Sequence, residues 1–311
     1  MRADPRGPGG ASRRISLASV GVKLMTLTTL CASIPLSAQQ RIQDGRHAER
    51  DASIRIINLA GSVRLTGWDR DSVSVTGVPG DSNARFFMGG SGRALKLGVD
   101  LPEDAPAGWA TDLDVRVPTA SRVWIKTAGG EIDADNLEGE ISAITVGGRV
   151  RLGGSFRELT AESMDGNIEI AASAADARVR TASGTIVLRG VLRQVEASTV
   201  SGELLVGMTG PIQRARLETI SGNVSFKGPL EEDGSLEVES HDGDIELRMP
   251  PSLPATYDLN AYGGAIHNEL APKGAALRGE QHVVIGNGSA RVVVRTFKGT
   301  VEVKAHPGKI R

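Results

Sequence analysis

One short phrase returns along residues 127–304: a Thr or Ser, two residues, a Gly, one residue, then two aliphatics separated by one position. It reads Thr127-Ala-Gly-Gly130-Glu-Ile132, Thr145-Val-Gly-Gly148-Arg-Val150, Ser163-Met-Asp-Gly166-Asn-Ile168, Thr181-Ala-Ser-Gly184-Thr-Ile186, Thr199-Val-Ser-Gly202-Glu-Leu204 and Thr219-Ile-Ser-Gly222-Asn-Val224. Looser copies follow around Gly243, Gly264 and Gly299, and Gly61 holds the same place in an opening copy. From Gly130 onward the glycines stand 18, 18, 18, 18, 20, 21, 21 and 35 residues apart. A near-constant period of this size marks stacked repeats.

Within a unit the aliphatics alternate, as in Ile168-Glu169-Ile170, so a strand with side-chain period two sends them to one face. A second strand is read before each next Gly, with Ile141 and Ala143, Leu159 and Ala161, Ala177 and Val179, Val195 and Ala197, then Ala215 and Leu217 pointing inward. The Gly falls in the corner between units, where positive φ or a close backbone approach excludes a side chain. A unit of about 18 residues cannot bury its own aliphatic face, but stacking can. One core column is expected through Ile132, Val150, Ile168, Ile186, Leu204, Val224, Ile245, Ile266 and Val301, and a second from Ala134 to Val303, broken at Asn268. The Thr and Ser at the head of each phrase are expected to form a hydroxyl ladder beside the corner. The expected fold is all-β, a single-stranded parallel β-solenoid (β-helix-like) with about 18 to 21 residues per turn. A left-handed hexapeptide helix would need an aliphatic at position 138, which is Glu.

Residues 1–38 read as an export signal: Arg13 and Arg14 precede an apolar run over residues 24–36 that ends in Ser37-Ala38-Gln39. The run is short for the ~20 residues of a membrane span, and no integral span is expected in the mature chain. Cys31, the only cysteine, lies in this segment. The mature chain then has no thiol for a disulfide, a nucleophile or a metal ligand. Removing 1–38 takes five basic residues and one acid from totals of 36 and 37, leaving 31 against 36 and a net of −5. That balance gives nucleic acid no basic face.

The domain expected over residues 39–305 divides into an N-terminal cap with irregular strands at 50–126 and regular repeats at 127–305, with a Gly-rich insertion at 271–290 and a tail at 306–311. Residues 78–112, which lack the phrase, read as an edge hairpin or a flap, including the Pro-containing loop at 101–106. Functional sites favour such excursions.

The opening Gly61-x-Val63-x-Leu65-x-Gly67-Trp68-Asp69, the lead-in Val115-Arg116-Val117-Pro118 and the Thr-x-Ser-Gly-x-Ile phrases together resemble the bacterial putative-adhesin β-strand-repeat family, the toastrack domain. The resemblance covers roughly residues 50–305. It implies an exported or envelope-associated protein, with adhesion and envelope-stress roles suggested, and brings no catalytic motif.

The sequence carries few chemical motifs. His47, His241, His267, His282 and His306 are scattered, without zinc-motif spacing. Asp165-Gly166-Asn167 and Asp242-Gly243-Asp244 carry oxygen ligands but not the spacing of a calcium loop, and capping of the corner is the preferred reading. Gly89-Gly90-Ser91-Gly92 lacks the Lys of a phosphate loop. Asp133 and Glu169 share a phase with Arg151 between them, which suits cross-strand ion pairs better than an acid pair for glycan cleavage. Aromatic residues make up 3% of the chain, so platforms for sugar stacking are few. No catalytic residue, cofactor site or metal site is named. The ten corner glycines, Gly61, Gly130, Gly148, Gly166, Gly184, Gly202, Gly222, Gly243, Gly264 and Gly299, are the structural positions expected to matter.

The expected role is a non-catalytic, exported, adhesin-like or envelope-associated scaffold in the periplasm, at the cell surface or secreted, binding a protein or glycan of the envelope. The alternatives are a polysaccharide-processing β-helix enzyme and a purely structural envelope or envelope-stress component.

Overall fold

The computed structural model describes residues 41–80, 84–100, 109–272 and 279–306. The export segment read at 1–38, the Pro-containing loop at 101–106, the middle of the 271–290 insertion and the tail beyond His306 lie outside the described residues. The unit Gln39–Arg311 is all-β, with 23 strands hydrogen-bonded into one sheet and no helix among the described residues.

Parallel pairing stacks the phrases in register. Ile132 pairs with Val150, Val150 with Ile168, Ile168 with Ile186, Ile186 with Leu204, Leu204 with Val224 and Val224 with Ile245. These side chains are buried, as are the second-column residues Leu152, Ile170, Leu188, Val206, Phe226 and Leu247. The strands before each Gly form the opposite column, where Ile141, Leu159, Ala177, Val195, Ala215 and Leu236 stack in turn. Every unit thus contributes one inward row to each of two facing columns, and the aliphatics close on one another between them. Each fully buried Ile, Leu or Val stabilises the fold by about 1.5–3 kcal/mol relative to exposure.

Three strands, Val150–Ser163, Ile168–Ser183 and Ile186–Ser201, run through both columns without a break. Their alternation slips by one residue at the bend: Phe156 and Leu159, Ala174 and Ala177, and Leu192 and Val195 are all buried. The slip turns the chain while keeping aliphatics inward on both sides. Gly154 and Gly190 take positive φ at this bend (128° and 121°), as does Asn136 (58°) in the preceding unit.

The ends depart from chain order. Near the N-terminus, Ser53–Asn58 and Val63–Trp68 lie directly on Arg122–Thr127 and Ile132–Leu137. Ala94–Asp100 and Asp112–Pro118, later in the chain, stack outside them. Arg85–Ser91 then covers Ala94–Asp100 antiparallel, so the 78–112 excursion does contain an edge hairpin. Ser72–Val78 and Ile42–His47 add antiparallel strands beyond Asp112–Pro118.

At the other end, Ala290–Lys298 and Val301–Ala305 lie on Leu230–Asp242 and Ile245–Met249. Ala255–Ala261 and Ile266–Asn268 stack outside them, and Glu280–Ile285 closes the column antiparallel. The Val301 layer therefore stands between those of Ile245 and Ile266, which corrects the chain-order stacking expected from the phrases. The 271–290 segment is also corrected, since residues 280–285 of it form a strand. Pro250, Pro251 and Pro254 cannot continue a ladder, and the connection they form carries the chain past the layer that is later filled by residues 290–305. The outermost strand Ile42–His47 is polar and exposed after Ile42, which discourages pairing with another chain.

Candidate functional site

The corner that carries the glycines is the most repetitive surface of the molecule, and three rows run along it. The innermost row is the glycines. A Cβ on Gly130 would lie 1.6 Å from the Gly61 carbonyl oxygen, and one on Gly148 would lie 1.8 Å from that of Gly130. The same approach recurs through Gly166, Gly184, Gly202, Gly222 and Gly243, then from Gly243 to Gly299 and from Gly299 to Gly264. Of these ten residues only Gly61 and Gly299 have positive φ. Close stacking of backbones, rather than a left-handed conformation, is what excludes a side chain at most of these corners.

The second row is the hydroxyls. Thr127, Thr145, Ser163, Thr181, Thr199, Thr219, Ser240 and Thr296 are all buried. Thr127 Oγ1 donates to Thr145 Oγ1 (2.8 Å), Thr181 Oγ1 to the Gly166 carbonyl (3.2 Å) and Thr296 Oγ1 to the Gly243 carbonyl (3.1 Å). The Gly148 and Gly166 amides in turn donate to Thr145 Oγ1 and Ser163 Oγ (3.1 and 2.8 Å). Asn58 stands for the Thr of the opening copy, with its Nδ2 donating to the Thr111 carbonyl (2.7 Å). Thr219 Oγ1 is buried without a hydrogen-bond partner.

The third row went unread in the sequence. The residue after each Thr points out of the corner, giving in stacking order Leu59, Ala128, Val146, Met164, Ala182, Val200, Ile220, His241, Phe297 and Tyr262. Seven of the eleven exposed large hydrophobic side chains among the described residues lie in this single file, including Met164 (56% exposed), Ile220 (55%), Phe297 (52%) and Tyr262 (70%). Ten layers at a rung spacing of ~4.8 Å make a stripe about 43 Å long. Scattered exposed apolar residues need no explanation, whereas a contiguous file does. Its signal was present in the sequence as the second letter of every phrase.

The other candidates have local explanations. Arg151 lies 3.9 Å from Asp133 and 3.6 Å from Glu169, and Arg189 Nη1 reaches Glu169 at 3.4 Å, so both acids sit in a ladder of exposed ion pairs. Asp165 Oδ1 accepts from Ser183 Oγ (2.7 Å), Asn167 Oδ1 from the Thr185 amide (2.9 Å) and Asp244 Oδ1 from the Thr300 amide (2.7 Å). These turns cap the neighbouring layer, as preferred from the sequence. Asp112 is held below its usual carboxylate value because the Ser62 hydroxyl and amide both donate to it. His282 Nδ1 lies 2.6 Å from Asp258, and His241 stacks on Phe297. Tyr257 is enclosed in the core, and burial pushes its hydroxyl up to about 12. No group of three metal-ligating side chains occurs among the described residues.

The model of the family described as Toastrack DUF4097 matches residues 53–304. The chain belongs to this family. The likeness extends to solved structures of low identity. A putative adhesin from Parabacteroides merdae is similar with a TM-score of 0.52 and 12% identity over 86% of this chain and 97% of that one. A putative adhesin from Bacteroides fragilis (TM-score 0.44, 9% identity, 86% and 98% covered) and a putative lipid binding protein from Parabacteroides distasonis (0.39, 13%, 86% and 98%) are further relatives in structure. At 12% identity the likeness to the Parabacteroides merdae structure speaks for the fold alone. No curated protein is matched by the sequence. Among the described residues no helix is long and apolar enough to cross a membrane.

Proposed function

We propose that this toastrack protein is an exported, non-catalytic, adhesin-like scaffold: a rigid β-solenoid of about 18 to 21 residues per turn that binds an envelope partner along its exposed corner. The observation that carries this reading is the single file of exposed apolar side chains. The Gly and hydroxyl rows beneath it account for the corner's stability, and folding makes no use of an apolar residue pointing to solvent in layer after layer. A non-catalytic role is supported by the pairing of Asp133 and Glu169 with Arg151 and Arg189 in a ladder of exposed ion pairs. The names of the solved relatives and the read export signal support an envelope or extracellular location.

The test is saturable retention of the full chain on isolated bacterial envelopes, compared with the double variant Val200→Asp, Ile220→Asp. Both residues are half exposed, so the variant is expected to keep its melting temperature and lose at least tenfold in retention. Retention unchanged in that variant would sink the corner as the binding edge. In parallel, Asp133→Asn with Glu169→Gln is expected to leave retention unaltered, and release of shortened glycan by the native chain alone would replace the scaffold with an enzyme.

A further inference from the structure

His241, Phe297 and Tyr262 stack in three successive layers beside a groove that also takes in Val200 and Ile220, and that groove is part of the exposed file. A different pattern lies on the adjoining sheet face, over the strands Arg122–Thr127, Glu140–Ile144 and Val150–Ser163. Its outward residues are in register, with Arg122, Trp124 and Lys126 in the first layer, Glu140, Ser142 and Ile144 in the second, and Glu158, Thr160 and Glu162 in the third. The first layer reads cation, ring, cation, and the third reads acid, hydroxyl, acid at the same three heights. A depression of about 330 Å³ is lined by Trp124, Ser142 and Thr160 together with Arg122, Glu140 and Glu158.

Farther along the same face the charges are matched within the chain: Arg178 and Arg180 pair with Glu196, Arg216 with Glu218 and Glu237, and Arg295 with Glu237 and Glu239. Arg122, Lys126, Glu158 and Glu162 make no ion pair among the described residues. Spacing is the reason. Their layers are two rungs, or ~9.6 Å, apart, and Glu140 in the layer between is held by Arg157 (3.4 Å). A two-fold axis lying along the strands above Glu140–Ile144 brings these rows together between two copies. It keeps each residue's height and exchanges the layers on either side, so each contact occurs twice. Arg122 then faces Glu158 of the second copy, Lys126 faces its Glu162, and Trp124 faces its Thr160 and the depression beside it. On the axis Ile144 meets its own copy, and each Glu140 keeps its Arg157. Farther out, Lys96 comes opposite Glu196 and Arg55 opposite Arg178. Arg178 is already held by Glu196 (3.4 Å), and the Arg55 guanidinium lies over Trp124 (5.0 Å).

We infer that this face is a docking surface for a second copy of the chain, joined antiparallel about that two-fold axis. A copy is singled out because the complement of the face is the face itself. The contact covers about five layers, ~24 Å, by ~17 Å of strand, or about 400 Å² a side. That is the size of a weak, reversible association, and its exposed ion pairs make it sensitive to salt. The axis runs along the strands toward the corner, so both exposed files lie on the same side of the pair. The inference stands apart from the scaffold reading, to which it adds a second binding edge facing the same way.

The experiment is sedimentation equilibrium of the full chain from about 1 to about 500 µM. A monomer–dimer equilibrium with a micromolar Kd is expected, weakened at least fivefold when salt rises from about 0.05 to about 0.5 M. Arg122→Glu with Lys126→Glu, and separately Glu158→Lys with Glu162→Lys, are each expected to stay monomeric with an unchanged melting temperature, since all four side chains point out of the sheet. An equimolar mixture of the two variants is expected to recover the dimer, because every facing pair is then opposite in charge. A native chain that is monomeric throughout, a dimer that survives either reversal, or a mixture that stays monomeric overturns the inference. A dimer lost in Val200→Asp, Ile220→Asp also overturns it, by placing the contact at the corner. If a reversal lowers the melting temperature, Glu158→Gln with Glu162→Gln takes its place and is expected to raise Kd at least fivefold; an unchanged Kd there overturns the inference as well.

Discussion

The middle of the molecule and its two ends are built from the same phrase, yet they obey different ordering rules. Between Ile132 and Ile245 each layer stacks on the one that precedes it in the chain, with offsets of 18 to 21 residues. At the ends the chain runs outward and comes back, so Val301 pairs with Ile245 across 56 residues and Val63 with Ile132 across 69. A short connection leaves a unit one place to go, namely the next rung. A long one, such as the proline-rich link at 250–254 with the turn beyond it, lets another unit take that rung.

One charge placed in the same core column at two depths should have unequal effects. Ile186→Asp puts a carboxylate among fully buried aliphatics in the middle, and a loss of about 4 kcal/mol or more is expected by chemical denaturation. Ile266→Asp, in the partly exposed outermost layer, is expected to cost about 1 kcal/mol or less. Equal losses would mean that the outer layer is as much a part of the core as the middle.

A smaller effect is expected from the corner itself. Gly222→Ala would set a Cβ 1.9 Å from the Gly202 carbonyl oxygen between two flanking layers and should lower stability by about 3 kcal/mol. Gly264→Ala meets the Gly299 carbonyl at 1.8 Å, but among the described residues the adjoining strand Ile266–Asn268 is paired on one side alone and can shift outward, so about half that loss is expected. A thermal melt of the two variants side by side decides whether ends yield where the middle cannot.

Within the middle, the hydroxyl row offers a finer contrast. Thr199→Val removes a buried hydroxyl 3.5 Å from the Gly184 carbonyl, a long hydrogen bond, and should cost about 0.5 kcal/mol. Thr219→Val replaces a buried hydroxyl that has no partner and should be neutral or slightly stabilising. A cost at Thr219 equal to that at Thr199 would show that its hydroxyl is bonded in solution.

The smallest effect concerns the seam where the end joins the middle. Glu246 lies below its ordinary value of 4.5, first because Arg248 donates to it and then because Lys304 does so from the end layer. A carboxylate depressed in the folded state contributes stability above its unfolded value and loses it as pH falls through the folded one. Glu246→Gln should therefore cost a few tenths of a kcal/mol at pH 7, a modest figure because the pair is partly solvated, and the difference from the native chain should shrink as pH drops below about 4.5. A difference that grows toward acid would contradict the assignment.

Much of this architecture can be read in the sequence. Ile186 and Leu204 could be placed in one column because strand alternation and a constant period both demanded it, and the hydroxyl row followed from the same phase. The ion pairing of Asp133 and Glu169 with Arg151 was equally readable, since like phases stack. The exposed file at Val146, Met164, Val200, Ile220, Phe297 and Tyr262 is hidden in the sequence for a physical reason. An apolar residue beside a Gly corner looks like core until the direction of its side chain is known. The groove at Phe297 depends on which layer lies beside which, and periodicity carries no such information across long connections.

The strand, its inward face, the residues that must lack a side chain and the vertical rows follow from the sequence alone, because each of these depends on local geometry repeated at short, fixed spacing. The order of the terminal layers, the antiparallel strands that close them, and the meeting of His241, Phe297 and Tyr262 beside one groove come from the folded chain. Those depend on where long connections return the chain, which is settled by competition between whole layers for the same open edge and not by any one residue's preference.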